Sequence, residues 1–288
     1  MTQPMTLPID RLSTLLERFQ VRAHLFHTGA LCGVTHFDAA PGRGFLHVLR
    51  RGEMSVTHRP RAGAPRRIAV RGPSLLFYPR PLEHDFHNAP SEGSDFVCAT
   101  LDFAGGASHP LVRALPPLVL LPLAEVEGLE QSLALLFAEA DRVRCGHRLL
   151  ADRLFEVVLV QLLRWLLDHP AEGGLDAGML AGLAEPRLAR TLVALHDEPG
   201  NAWSLERMAS EAGMSRSAFA ALFKQVVGQT PADYLTDWRL AIAKARLRDG
   251  LAVKAICAQL GYANPSALSR VFTQKIGMSP RAWLAEGV

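Results

Sequence analysis

The sequence lacks several features that would each open a functional class. Every apolar run is cut by Arg or Asp before it could cross a bilayer, which excludes a helical membrane span and leaves no membrane among the expected partners. Residues Met1 to Asp10 carry Pro and an acid where a secretion signal has an unbroken apolar stretch, so a cytoplasmic location is expected. Only four cysteines occur (Cys32, Cys98, Cys145, Cys257), none in CxxC spacing, and disulfides are not expected in that compartment. No P-loop, Rossmann fingerprint or Ser/His/Asp spacing is present, so the common enzyme chemistries find no residues here. Lysine is scarce: Lys224, Lys244, Lys254 and Lys275 are the only ones, all near one end.

What is present suits a folded protein. Of 288 residues, 49% are hydrophobic and 20% charged, enough core for one large domain or two ordinary ones. The net charge of +3 is uneven. From Pro186 onward there are 13 Lys+Arg against 8 Asp+Glu; before it there are 18 against 20. A basic segment joined to a near-neutral one fits a phosphate-binding module attached to a module with another task.

The texture changes along the chain. Leu7, Ile9, Leu12, Leu15, Leu16 and Phe19 repeat at helical spacing and predict a short opening helix. From Val21 to Phe103, short apolar runs (Leu31–Phe37, Phe45–Val56, Arg67–Val70, Ser74–Tyr78, Phe96–Phe103) alternate with Gly, Pro and charged turns, the pattern of an all-β sandwich or barrel. Gly105–Pro122 reads as a crossing segment. Two helices follow, Val126–Val143 and Leu149–His169, the second apolar nearly all round, which means either burial or a dimer contact. Ala171–Gly182 reads as a linker. From Pro186, Gly and Pro delimit helices at 186–197, 204–212, 215–227, 231–249, 253–259 and 265–276. The expected class is α+β: an N-terminal β-barrel over 1–122, a helical hairpin over 123–170, a linker over 171–185 and an all-α domain over 186–288.

That last domain contains a repeat. Gly213 is followed by Ser215, Phe219, Phe223, Gly228 and Pro231; Gly261 by Asn264, Leu268, Phe272, Gly277 and Pro280. From turn Gly to closing Gly the intervals are 15 and 16 residues. A helix-turn-helix needs these residues. A Gly lets the first helix end in a left-handed turn. Ser215 and Asn264 cap the second helix. Apolar faces (Leu205, Met208, Ala209; Val253, Ile256, Cys257) pack against it, with small Ala209 and Ala258 at the crossing. Its opposite face is free for the major groove. The connecting helix 231–249 would hold the two recognition helices about one DNA turn, ~34 Å, apart.

These residues resemble the DNA-binding domain of the AraC/XylS regulators, over roughly 186–285. The resemblance lies in Ile256-Cys257, Gly261-Tyr262, Leu268-x-x-x-Phe272-Thr273 and Gly277-x-x-Pro280-x-x-Trp283. Cys257, Leu268 and Thr273 depart from the usual Ala, Phe and Lys, the last removing a phosphate contact. The resemblance implies groove-facing Arg216, Ser217, Ala218, Ala220 and Ala221 in the first unit, behind Ser215, and Pro265, Ser266, Ser269 and Arg270 in the second, behind Asn264. Arg270 is the expected base reader, since Arg bonds guanine O6 and N7 together. Lys224, Arg239, Lys244, Lys254 and Lys275 are expected phosphate contacts.

The first half resembles the cupin-type sensors found on AraC-like regulators. Phe45 to Glu53 matches a strand and turn ending in Gly-Glu, and Gly72-Pro73, His84 and Asn88 match the second cupin motif. The usual His-x-His and Glu ligand set is missing, and Phe45 falls where the Glu belongs. A different set, Cys32, His47, His84 and Cys98, would suit Zn²⁺ or another divalent metal if the strands converged. A small apolar or aromatic effector among Phe37, Phe77, Tyr78 and Phe86 is the other occupant considered. His58, His87, His109 and His147 read as surface residues.

The sequence thus points to a non-enzymatic, sequence-specific regulator of transcription. Its expected partners are double-stranded promoter DNA, a small-molecule effector, RNA polymerase and a second copy of itself. A cupin-type metalloenzyme and a helical-repeat interaction module are the alternatives.

Overall fold

The computed structural model describes residues 9–60, 63–89 and 93–286. It divides into two compact units, Gln20–Leu175 on one side and the N-terminal segment to Phe19 with Asp176 onward on the other.

The first unit holds nine strands in two antiparallel sheets. One carries β1 (Val21–Leu31), β8 (Ser94–Phe103), β3 (Arg43–Arg51), β6 (Ser74–Tyr78) and β9 (Val119–Pro122), in that spatial order. The other carries β2 (Val34–Phe37), β7 (His84–His87), β4 (Glu53–His58) and β5 (Arg67–Arg71). Alternate residues of both sheets meet in one core: Phe37, Phe45, Leu49, Met54, Val56, Val70, Leu76, Tyr78, Phe86, Phe96 and Cys98. The intervening residues of the larger sheet (Leu46, Val48, Leu75, Phe77, Val97) are also fully buried. Phe77 therefore lies on the opposite face from Phe37, Tyr78 and Phe86, the other residues expected around an effector, and is corrected on that ground.

Helices α3 (Leu129–Ala140) and α4 (His147–Asp168) pack on each other, and α4 packs on β1. An exposed sheet edge invites pairing with other chains. Here α4 covers edge strand β1: Asp152 and Glu156 accept the Leu25 and Ala23 backbone N–H groups at 2.7 and 3.4 Å. Arg50 of β3 grips Asp141, just beyond α3, with bonds of 2.6 and 2.9 Å, and lies over the Phe137 ring.

The strand runs read from sequence need revision. Phe45–Val56 is two strands folded at Gly52, whose φ is +98°. Leu31–Phe37 is the end of β1 and all of β2. The crossing segment holds α2 (Pro110–Ala114) and β9. His58 and His109 are buried, not surface: His58 bonds Tyr78 Oη, and His109 Nδ1 caps α2 by accepting Leu111 N–H at 3.2 Å.

The second unit is helical. Its first helix, α1 (Ser13–Arg18), comes from the opposite end of the chain; Leu7 of the expected helix lies outside the described residues. Leu12, Leu15 and Phe19 are buried, and Phe19 meets Trp238 edge-on at 5.2 Å. Arg18 donates to the Asp197 carbonyl at 3.0 Å. By contacts, then, the start of the chain belongs with this unit, and the expected 1–122 boundary cuts across it. The expected linker is also structured in part: α5 (Met179–Ala184) is buried and packs on α6 (Pro186–Asp197) and α8 (Arg216–Val227). Its apolar residues Met179, Leu180 and Leu183 make it core.

Candidate nucleic-acid interface and sensor core

The helical unit continues with α7 (Leu205–Glu211), α9 (Pro231–Arg248), α10 (Val253–Gln259), α11 (Pro265–Ile276) and α12 (Pro280–Ala285). The two helix-turn-helix units are α7–α8 and α10–α11. Both turn glycines, Gly213 and Gly261, are left-handed, with φ of +64° and +71°. Ser215 Oγ accepts from Ala218 N at 3.3 Å and Asn264 Oδ1 from Ala267 N at 2.9 Å, so both expected caps form. Ala209 sits buried at the first crossing, but Ala258 is exposed; Cys257 takes that place in the second unit. Phe219, Phe223 and Phe272 are fully buried, each contributing about 1.5–3 kcal/mol of burial.

Burying those stripes turns a fixed set of residues outward. On α8 the outward stripe runs Ser217, Ala220, Ala221, Lys224; on α11 it runs Ser266, Ser269, Arg270, Thr273. Position by position, Ala221 stands where Arg270 stands, and Lys224 where Thr273 stands. Thr273, read from the sequence as the place of a lost phosphate contact, is exposed on this stripe, where the helical spacing from Ser266 and Ser269 puts it. Ala218 is exposed beside the first stripe, and Pro265 opens α11.

The cations expected to meet DNA separate into two groups. Arg270, Lys224 and Lys254 are exposed and form no ion pair among the described residues. The others are engaged. Arg216 bonds Glu206 at 2.6 Å. Lys275 bridges Asp233 and Asp237 of α9 at 3.0 and 3.5 Å. Lys244 is half-buried with its ammonium 5.7 Å from the Trp283 ring centre. Arg239 is a structural clasp: it donates to the Pro199 and Asn201 carbonyls at 2.7 and 3.0 Å and lies over Tyr262, and burial lowers its pKa. Its expected phosphate role is corrected on that ground.

The expected zinc set is not assembled. Cys32 is exposed just beyond the end of β1, whereas Cys98 is buried and pairs across strands with His47 and His27. Among the described residues no three His, Cys, Asp or Glu side chains come together as a metal site. His47 and His84 do meet, with Nε2 atoms 3.1 Å apart, and bond to each other. The described residues, with two imidazoles and no third ligand beside them, therefore do not fit a cupin metal.

Their hydrogen bonds assign the tautomers. His84 donates Nδ1–H to the Leu82 carbonyl at 2.8 Å, so its Nε2 is an acceptor. His47 fills that acceptor with its own Nε2–H, which leaves a lone pair on Nδ1. That Nδ1 is buried without a partner. Burial holds His47 well below its ordinary pKa and His84 down to about 4, so both are neutral at pH 7. Phe37, Phe45, Tyr78 and Phe86 surround the pair, Tyr78 stacking on His84 at 4.1 Å. Tyr78 O–H in turn donates to His58 Nε2 at 3.0 Å, since His58 Nδ1–H is committed to the Pro65 carbonyl. Asn88, one residue past β7, is also buried with its side-chain amide unpartnered.

The sheet-lined barrel core and the paired helix-turn-helix units thus form two domains of different class. A cupin family model matches residues 10–168 and a helix-turn-helix domain model residues 208–286. The chain belongs to the AraC-type regulators with a cupin N-terminal domain. A putative AraC-like transcription regulator of Streptomyces antibioticus is 38% identical over 181 residues, 62% of this chain and 59% of that protein. The chain thus matches about three fifths of the length of that relative. An uncharacterized HTH-type transcriptional regulator of Haemophilus influenzae is 25% identical, covering 94% of this chain and 97% of its own. Among solved structures, ToxT of Vibrio cholerae aligns with a TM-score of 0.40 at 12% identity, over 92% of this chain and 97% of that one. No helix among the described residues is long and apolar enough to cross a membrane.

Proposed function

We propose that this chain is a sequence-specific DNA-binding regulator of transcription, controlled through its cupin domain. The observation that carries the reading is the pair of outward stripes on α8 and α11, with Arg270 exposed and without an ion-pair partner on the second. The second unit reads bases; the first, with Ala220 and Ala221 on its stripe, reads fewer and positions the protein through Lys224. Lys254 adds a backbone contact.

A homodimer, a small-molecule effector and RNA polymerase complete the set of partners in this reading. Support for the dimer comes from Leu150 and Val157 on α4, 49% and 44% exposed one above the other.

The test is titration of the operator, identified by selection from random duplexes, followed by fluorescence anisotropy. Arg270→Ala is expected to cost about 1–3 kcal/mol and to relax preference at one base pair. Affinity should fall steeply with salt as counterions are released. Salt-independent binding would favour an interaction module instead, and an unchanged Arg270→Ala would remove Arg270 as the base reader.

A further inference from the structure

The barrel core contains an acceptor with no donor. His47 Nδ1 carries a lone pair, is buried and bonds to nothing. Native interiors rarely leave such a group unpaired without a functional reason. Its surroundings are aromatic rings, and all but one of them are buried.

The exception is Phe26, 44% exposed. Its position has a local cause. Along β1 and β8, Leu25 pairs with Ala99 and His27 with Cys98, so two steps on β1 match one step on β8. Phe26 is the extra residue of a β-bulge, a device that re-aims a side chain. The bulge carries its ring over the barrel, 6.2 Å from His47 and 6.1 Å from both Phe37 and Phe45. It is the one ring of the group with solvent to swing into.

We infer that Phe26 is the movable door of an effector site whose polar anchor is His47 Nδ1, and that the effector is a neutral single-ring aromatic bearing an O–H or N–H donor. Outward rotation of Phe26 leaves a ring-sized space against His47, which sets the size of the occupant. The unpaired atom is an acceptor, which sets the polarity. The inward-facing residues named around it include no Lys or Arg, and burial keeps the imidazoles of His47 and His84 uncharged, so a carboxylate would enter without a standing counter-ion, at a large desolvation cost. The proposal deepens the regulatory reading above and rests on it only for the consequence at DNA.

The experiment uses full-length protein without DNA, and three probes matched in size: phenol, toluene and benzoate at pH 7.5. Binding is followed by saturation-transfer NMR and calorimetry. Phenol is expected to bind about tenfold more tightly than toluene, the value of one buried hydrogen bond, with benzoate weakest. His47→Phe should erase the preference of phenol over toluene, while His47→Gln, which keeps an acceptor, should retain it. Phe26→Ala should speed dissociation of phenol and toluene alike. Circular dichroism melts of each variant report folding, and the two His47 variants bracket any loss of stability. Equal binding of phenol and toluene, a preference that survives His47→Phe, or no binding by any probe would overturn the inference. Operator titration of the same samples is independent: DNA binding without phenol recognition sinks only this inference, and phenol recognition without DNA binding sinks only the regulatory reading.

Discussion

At the residue scale, two glycines with the same backbone geometry do different work. Gly213 and Gly261 both end the first helix of a unit in a left-handed turn. Around Gly213 a methyl group would meet nothing within 4 Å, whereas at Gly261 it would fall on the Gly200 carbonyl oxygen. Gly213→Ala should therefore cost about 1 kcal/mol of backbone strain, and Gly261→Ala roughly 2–3 kcal/mol. Urea unfolding of the two variants measures the difference; equal costs would mean the 199–201 loop yields freely. That loop is held by Arg239, which explains why Arg239 is absent from the candidate interface. The cations make a second residue-scale case. Lys224→Ala and Lys254→Ala should each lower the salt slope of operator binding by about one. Lys275→Ala, already paired with two aspartates, should leave the slope nearly unchanged. A uniform effect across all three would contradict the division into free and engaged cations.

At the scale of elements, legibility tracks how local the signal is. Helices α6, α10 and α11 coincide with their expected bounds because Gly, Pro and capping side chains mark their ends within the chain itself. Strand β1 is harder to read: its Arg, His, Thr and Gly residues dilute the apolar alternation, and its bulge breaks the period of two at Phe26. Strand β7 has four residues, too few to show a period. Helix α5 is short and sits in a Gly-rich, acidic stretch that imitates a linker. In the candidate site, the stripe on α11 is readable from spacing, but the clasp of Arg239 on Pro199 and Asn201 is purely tertiary. Helix α4 shows the same limit. Its all-round apolarity is mostly accounted for inside the chain, by Phe155, Val158, Leu162 and Leu166 among others, and only Leu149, Leu150 and Val157 stay outside. If that remainder is the proposed dimer contact, Leu150→Glu with Val157→Glu should yield monomers in sedimentation at micromolar concentration. The monomer should keep its melting temperature, since neither side chain is buried. An unchanged sedimentation coefficient would place the contact elsewhere.

At the scale of the whole molecule, three of the buried histidines, those whose pKa burial lowers, tie the stability of both units to pH. His47 and His84 lie in the barrel core. His196 lies in the helical unit, stacked on Trp238 at 3.8 Å and bonded to Tyr234 Oη at 2.6 Å, and burial holds it down to about 3. A neutral imidazole with a depressed folded pKa binds no proton where the unfolded chain, near 6.5, does. Unfolding then takes up protons, so stability rises with pH through this range and is lost as pH falls from about 6.5 toward 4. With values of about 4 and about 3, His84 and His196 should each remove about 2 kcal/mol between pH 8 and pH 5, and His47 acts in the same direction. His36 works in the opposite sense. Its pKa is raised mainly by the hydrogen bond to Asp85, so protonation favours the fold, but the group is solvent-screened and the gain is small. Asp85, Asp141, Glu206 and Asp233 are held low by His36, Arg50, Arg216 and Thr230 with Lys275 respectively, so they lose their contribution only at more acid pH. Urea unfolding at pH 8, 6.5 and 5 should therefore show a steep decline already above pH 5, before the carboxylates titrate. His196→Gln should flatten that decline by about 2 kcal/mol in the helical unit and leave the barrel contribution intact. A stability that is flat to pH 5 in the unmodified protein would mean these imidazoles are reached by water, and the neutral pair at the centre of the effector site would go with it.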